Sequence, residues 1–146
     1  MIEETTELTL SIDQEIEIEA SAETSFDALI ARLSSEHETP SGEPMLLKLE
    51  TWPGGRWYRD LGEENGHLWG HVQVIKRGKL LEIIGPLFMS NPVISHLQFR
   101  ITEHNDIVHL TLKHQAVGII DPEHRAGIST AWATMLKGIK DHAESH

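Results

Sequence analysis

The sequence predicts an α+β domain: one antiparallel sheet with two helices segregated on a single face. Three observations carry this reading. Apolar residues recur with period two along most of the stretch between Met45 and Gln115, as they do on half-buried strands. The breaks between these runs are tight, including the Asn65-Gly66 hairpin signal after Glu64. A helical period is confined to two segments, a short one after the first strand and a long one at the end of the chain. Strands joined so closely pair antiparallel, because a parallel return needs a long crossover. The order of one strand, a short helix, six strands and a long helix places both helices against one face.

The first seven residues are read as a disordered lead, and residues 8–146 as a single domain. In the first strand Leu8, Leu10, Ile12, Ile16 and Ile18 share one face. Gln14 interrupts that row, and a bend or bulge is expected there. Ser21 caps the next segment, with Glu23 near its positive end. Phe26, Leu29, Ile30 and Leu33 then form one helical stripe, over about 12 residues or roughly 18 Å. The polar stretch Ser34 to Pro44 is read as a surface loop. Strands are expected at 45–52, 56–61, 67–76, 79–84, 93–102 and 106–116, giving a seven-stranded sheet. In 67–76 the face is ambiguous, since Val72 and Val74 argue for one side and Trp69 and Ile75 for the other. The last helix starts at Asp121-Pro122, a cap followed by a proline whose missing amide costs nothing in the first turn. Ile128, Trp132, Met135, Leu136, Ile139 and Ala143 make its apolar stripe. Running to about Glu144 it would be roughly 35 Å long, enough to cross a sheet that twist has curled around it.

Several motifs match one family in order and spacing. Ile16 to Leu33 (IEIEASAETSFDALIARL) resembles the opening of START-like (SRPBCC, Bet v 1-like) domains. Gly55-Arg56-Trp57 with Tyr58-Arg59-Asp60 resembles the Gly-Gly-x-aromatic strand of the branch named for the activator of the heat-shock-protein-90 ATPase. Gly70 to Ile75 and Lys79 to Ile83 resemble that branch's next hairpin. Lys76-Arg77-Gly78-Lys79 stands where members often have a Pro-Pro turn, and Gly85-Pro86 where a Thr-Trp pair often ends the next strand. The resemblance spans about Leu8 to Ala143. It implies a helix-grip fold, with a curved seven-stranded antiparallel sheet around a long C-terminal helix and a cavity between them. Relatives use such cavities for lipids, sterols, polyketides and other apolar ligands. Some cyclise or dehydrate polyketides, and others act as chaperone cofactors. No shared catalytic set accompanies the resemblance.

Composition narrows the function classes. The formal net charge is −11, from 23 acidic and 12 basic residues. That sign repels a phosphate backbone and an anionic membrane surface, so no nucleic-acid partner is expected. No apolar run reaches the roughly 18 residues of a membrane span, and the acidic start does not resemble a secretory signal. With no cysteine, disulfides and thiolate metal sites are excluded, which suits a cytoplasmic location.

Ten histidines raise the question of a metal. His67 and His71 lie four apart, which on a strand is roughly 13 Å, too far for one ion. His96, His109 and His114 come from two strands at unequal heights. No HExxH motif is present, and no metal or other cofactor is expected. Ser90, Ser95 and Ser129 have no nucleophile elbow around them. Acid-base chemistry would need one cavity group with a shifted pKa; His71, Glu82 and His96 are candidates only if they point inward.

The aromatics are more informative. Trp52, Trp57 and Trp69 fall on expected strands and Trp132 on the long helix, as core or as cavity lining. The segment Gly85 to Pro92 carries Leu87, Phe88 and Met89 between prolines. It is either a lid over a cavity mouth or a loop packed against the core or a second subunit, the latter allowing a homodimer. The candidate ligand-binding set is Trp57, Trp69, His71, Phe88, Met89, His96, Trp132, Met135 and Leu136, with no catalytic residue assigned. The expected function is binding of a small apolar or amphipathic molecule. The alternatives are a cyclase or dehydratase using the same cavity, and a protein-interaction module with a sealed interior.

Overall fold

Alternation becomes pairing from the start of the chain. In the computed structural model, which describes residues 8–145, strand β1 (Thr9–Ile18) pairs antiparallel with β7 (Ile107–Gly118) in unbroken register. Gln14 therefore makes no bulge. Its side chain stays in the inward row and donates to the Ser129 carbonyl at 2.8 Å, which satisfies a polar group that would otherwise break the strand.

Helix α1 (Ala22–Leu33) begins where Ser21 Oγ accepts from the Thr24 amide at 3.0 Å, the capping bond that frees the chain from extended pairing. Five further strands follow: β2 (Lys48–Leu49), β3 (Arg56–Gly62), β4 (Asn65–Lys76), β5 (Leu80–Gly85) and β6 (Val93–His104). The sheet order is β1-β7-β6-β5-β4-β3-β2, antiparallel throughout. Only two residues of the expected 45–52 strand pair, so Trp52 lies outside it and is 56% exposed. It belongs neither to the core nor to the cavity.

Helix α2 (Pro122–Glu144) lies along the inner face, capped by Asp121, which accepts from the Glu123 amide at 2.9 Å. Its stripe of Ile128, Trp132, Leu136, Ile139 and Ala143 is buried, with Met135 half-buried beside it. Three polar ties fix it to β1 and its end: Gln14 to Ser129, Lys140 Nζ to the Glu17 carbonyl at 2.8 Å, and the Glu19 amide to Glu144 Oε2 at 2.8 Å.

Two bulges settle which way β4 faces. Trp69 is the extra residue opposite the Trp57–Tyr58 step, and Gln73 is unpaired between Val72 and Val74. Each bulge resets the period-two alternation. Trp69, Val72 and Ile75 thus all pack toward the core, which no single register could achieve. The expected lead at residues 1–7 lies outside the described residues. Among the described residues, no helix is long and apolar enough to cross a membrane.

Candidate functional site

A cavity of about 520 Å³ lies between the sheet and α2. Its walls come from four directions. Trp57 and Arg59 on β3, with His67 and Trp69 on β4, form the sheet side; Ile128, Ala131, Trp132 and Met135 on α2 form the helix side. The loop after α1 contributes His37, Glu38 and Met45, and the β5–β6 connection contributes Phe88.

The rings form a continuous edge-to-face array. Trp57 meets Trp69 with centroids 5.0 Å apart, Trp69 meets Phe88 at 5.9 Å, and Phe88 meets Trp132 at 6.0 Å. Such T-shaped contacts suit ring quadrupoles. Phe88 is the joint between the sheet pair and the helix. It is presented by a loop whose neighbours Leu87 and Met89 are buried in the core, so this loop is anchored on both sides of the residue it extends. Leu87 takes a positive φ of 59°, a conformation costly for a branched side chain, and its amide donates to the Trp69 carbonyl at 2.8 Å. Burial of Leu87 and that bond offset the strain.

Polar atoms around the rings are bonded in a way that fixes them. Trp57 Nε1 donates to the Leu33 carbonyl at 2.7 Å, tying β3 to the end of α1. Trp132 Nε1 donates to His114 Nδ1 at 2.9 Å, and His114 Nε2 lies 2.9 Å from Ser95 Oγ. Because Nδ1 is an acceptor, the His114 proton resides on Nε2 and is donated to Ser95. Burial pushes the His114 pKa down to about 4, and the indole N–H aimed at Nδ1 leaves no room for a second proton. His37 is also buried, and its Nδ1–H donates to the Arg32 carbonyl at 3.1 Å. Desolvation holds its pKa below the usual range. At the mouth, Arg32 pairs with Glu38 at 3.3 Å.

No protein-family model matches the chain, and no curated protein matches it by sequence. Solved structures do match. An uncharacterized protein from Rhizobium leguminosarum superposes with a TM-score of 0.72 at 14% identity, covering 94% of this chain and 96% of that one. The di-domain ARO/CYC StfQ from the steffimycin biosynthetic pathway matches with a TM-score of 0.67 at 13% identity, over 99% of this chain and 53% of that one. Ara h 8.0201 matches with a TM-score of 0.65 at 10% identity, covering 94% and 99% of the two chains. The chain has the helix-grip fold. At these identities the likeness shows the fold alone.

The helix-grip geometry sorts the candidate residues. Trp57, Trp69, Phe88, Trp132 and Met135 line the cavity together. Met89 and Leu136 are buried behind it, in the core. His71 and His96 are on the other face of the sheet. His71 pairs with outward-facing Arg56, and His96 contacts Glu82 at 3.3 Å beside Gln98. The bulge at Trp69 explains His71: it sends His67 and His71 to opposite faces. His96 alternates with buried Ser95 and Leu97, which puts it outside, and Glu82 with it. Among the described residues, no three His, Asp or Glu side chains converge as metal ligands.

The reading of the sequence missed Arg32, His37, Arg59, His67 and His124 as lining residues. Arg59 had a signal, being two positions from inward Trp57. His114, buried behind the rings, was legible too, in the row Leu110, Leu112, His114, Ala116. His37 had none, because it lies in an irregular loop that only folding brings over the cavity.

Proposed function

We propose that the protein binds a small, ring-bearing apolar or amphipathic molecule between the sheet and α2. The observation that carries this is the array Trp57–Trp69–Phe88–Trp132 bordering about 520 Å³. A core built only for stability would be filled by such large rings, and a volume of this size is typical of small-molecule pockets. StfQ, a cyclase by its name, and Ara h 8.0201 share the fold, which is consistent with a cavity in use. The test is pyrenebutanol, a neutral polycyclic probe, read by quenching of tryptophan emission. Saturable quenching is expected in the native protein. Ala131→Trp, which fills the cavity from the helix side, is expected to weaken binding by more than about tenfold while leaving the fold intact. No quenching of the native protein would reject the reading.

A second reading, catalysis of the cyclase or dehydratase kind, is favoured by His37. It lines the cavity, stays neutral, and has Nδ1 engaged by the Arg32 carbonyl, so Nε2 keeps a lone pair for proton abstraction. Turnover of a poly-β-keto thioester analogue, lost in His37→Gln, would establish it; no turnover by the native protein would leave binding as the function. The assignment to the branch of heat-shock-protein-90 ATPase activators rests on the Gly55-Arg56-Trp57 strand and the hairpin of Gly70 to Ile75 with Lys79 to Ile83. A pull-down of that chaperone by this protein would test it. Cytoplasmic location and a homodimer are likewise part of the proposal, checked by fractionation and by sedimentation.

A further inference from the structure

Arg59 is a charged group of the cavity lining that ring packing does not explain. It lies half-buried on the inner side of β3, two residues beyond Trp57 and directly opposite His67 on β4. Among the described residues no carboxylate lies within ion-pair distance of it. The other lining charges are accounted for. Arg32 and Glu38 neutralise each other at 3.3 Å. Glu123 is exposed in the first turn of α2, where the positive end of the helix favours an anion.

A guanidinium drawn partly out of water beside tryptophans, with no counterion, is costly unless something charged joins it. The protein has acidic residues to spare, with 23 against 12 basic, yet among the described residues none is within ion-pair distance of Arg59. We propose that Arg59, with His67 facing it, holds the carboxylate of an amphipathic acid whose ring system lies among Trp57, Trp69, Phe88 and Trp132. Arg59 offers paired N–H donors in the planar fork that a carboxylate accepts. His67, at the exposed edge, adds a ring N–H that can donate to the same carboxylate. The rings supply affinity and the anion fixes which end enters first. This inference rests on the cavity reading above and narrows it to a substrate class.

The experiment compares pyrenebutyrate with pyrenebutanol, which share a ring system and differ in the carboxylate. Both are titrated against the native protein at neutral pH, read by tryptophan quenching. Pyrenebutyrate is expected to bind about tenfold more tightly, and only its affinity is expected to fall as salt is raised. Arg59→Met is expected to bring the two affinities within about twofold of each other by weakening the acid alone, whereas Arg100→Gln, on the opposite face of the sheet, keeps the preference. Equal affinities in the native protein, a preference for the alcohol, or a preference unchanged in Arg59→Met would each overturn the anion site while leaving the cavity reading standing. If neither probe binds the native protein, the cavity reading falls and this inference with it. Should Arg59→Met fail to fold, the native ratio and its salt dependence decide alone.

Discussion

His114 is buried with a polar partner on each ring nitrogen, and this fixes both its tautomer and its charge. Trp132→Phe removes the N–H that reaches Nδ1 and leaves a buried acceptor unpaired, so the variant should lose about 2 kcal/mol or more in urea unfolding. The pH dependence follows from the same site. The pKa of His114 is depressed in the folded protein to about 4 from an ordinary 6.5. The unfolded chain therefore takes up a proton first as pH falls, and each step down favours unfolding. This contribution is complete above about pH 6.5, is lost between there and about pH 4, and amounts to roughly 3 kcal/mol. His37, also depressed by burial, acts in the same direction. Stability measured across this window should fall steadily in the native protein and more shallowly in His114→Gln. A flat profile in the native protein would contradict a neutral buried imidazole.

At the scale of elements, the β4–β5 hairpin decides whether the site exists. It carries Trp69 inward only because two bulges break its alternation, and its end is closed by the approach of two glycines. A Cβ on Gly85 would collide with the Trp69 carbonyl oxygen and the Gly70 Cα. Both are backbone atoms and neither can swing away. Gly85→Val should therefore cost about 1–3 kcal/mol or more and should displace Trp69, seen as altered near-ultraviolet circular dichroism. The same argument explains why Gly85-Pro86 stands where the sequence resemblance led one to expect Thr-Trp. A bulky pair could not be accommodated against Trp69 here. The Ser21 cap is a simpler case: Ser21→Ala should cost about 1 kcal/mol, measured by thermal unfolding, without affecting the cavity.

For the whole molecule, the sheet and α2 share one cluster of buried side chains, so ligand binding and folding are linked. A probe that fills the cavity binds the folded chain and not the unfolded one. At a free concentration one hundred times its dissociation constant it should add about 2.7 kcal/mol, raising Tm by roughly 5–10 °C for a chain of this size. A thermal shift of this order with pyrenebutyrate, reduced to about half or less in Ala131→Trp at the same concentration, is the expected outcome. Much of this scale was legible beforehand. The order of elements along the chain, both helices and their caps followed from period and punctuation, since those signals are local. The ring set was legible in part: Trp57, Trp69, Phe88, Trp132 and Met135 do border one space, while His71 and His96 point away because strand parity was counted without bulges.

The sequence by itself determined the antiparallel sheet, the segregated helices and the inward stripe of α2, because these depend on spacing within a few residues and on the bare need to bury apolar surface. Tertiary structure alone decided which side of β4 is inside, that the loop bearing His37 folds over the cavity, and that Arg59 stands there without a counterion. Those outcomes depend on a one-residue slip in pairing and on contacts between segments far apart in the chain. No local pattern encodes either, since the energies that select them arise only when sheet and helix close around the same space.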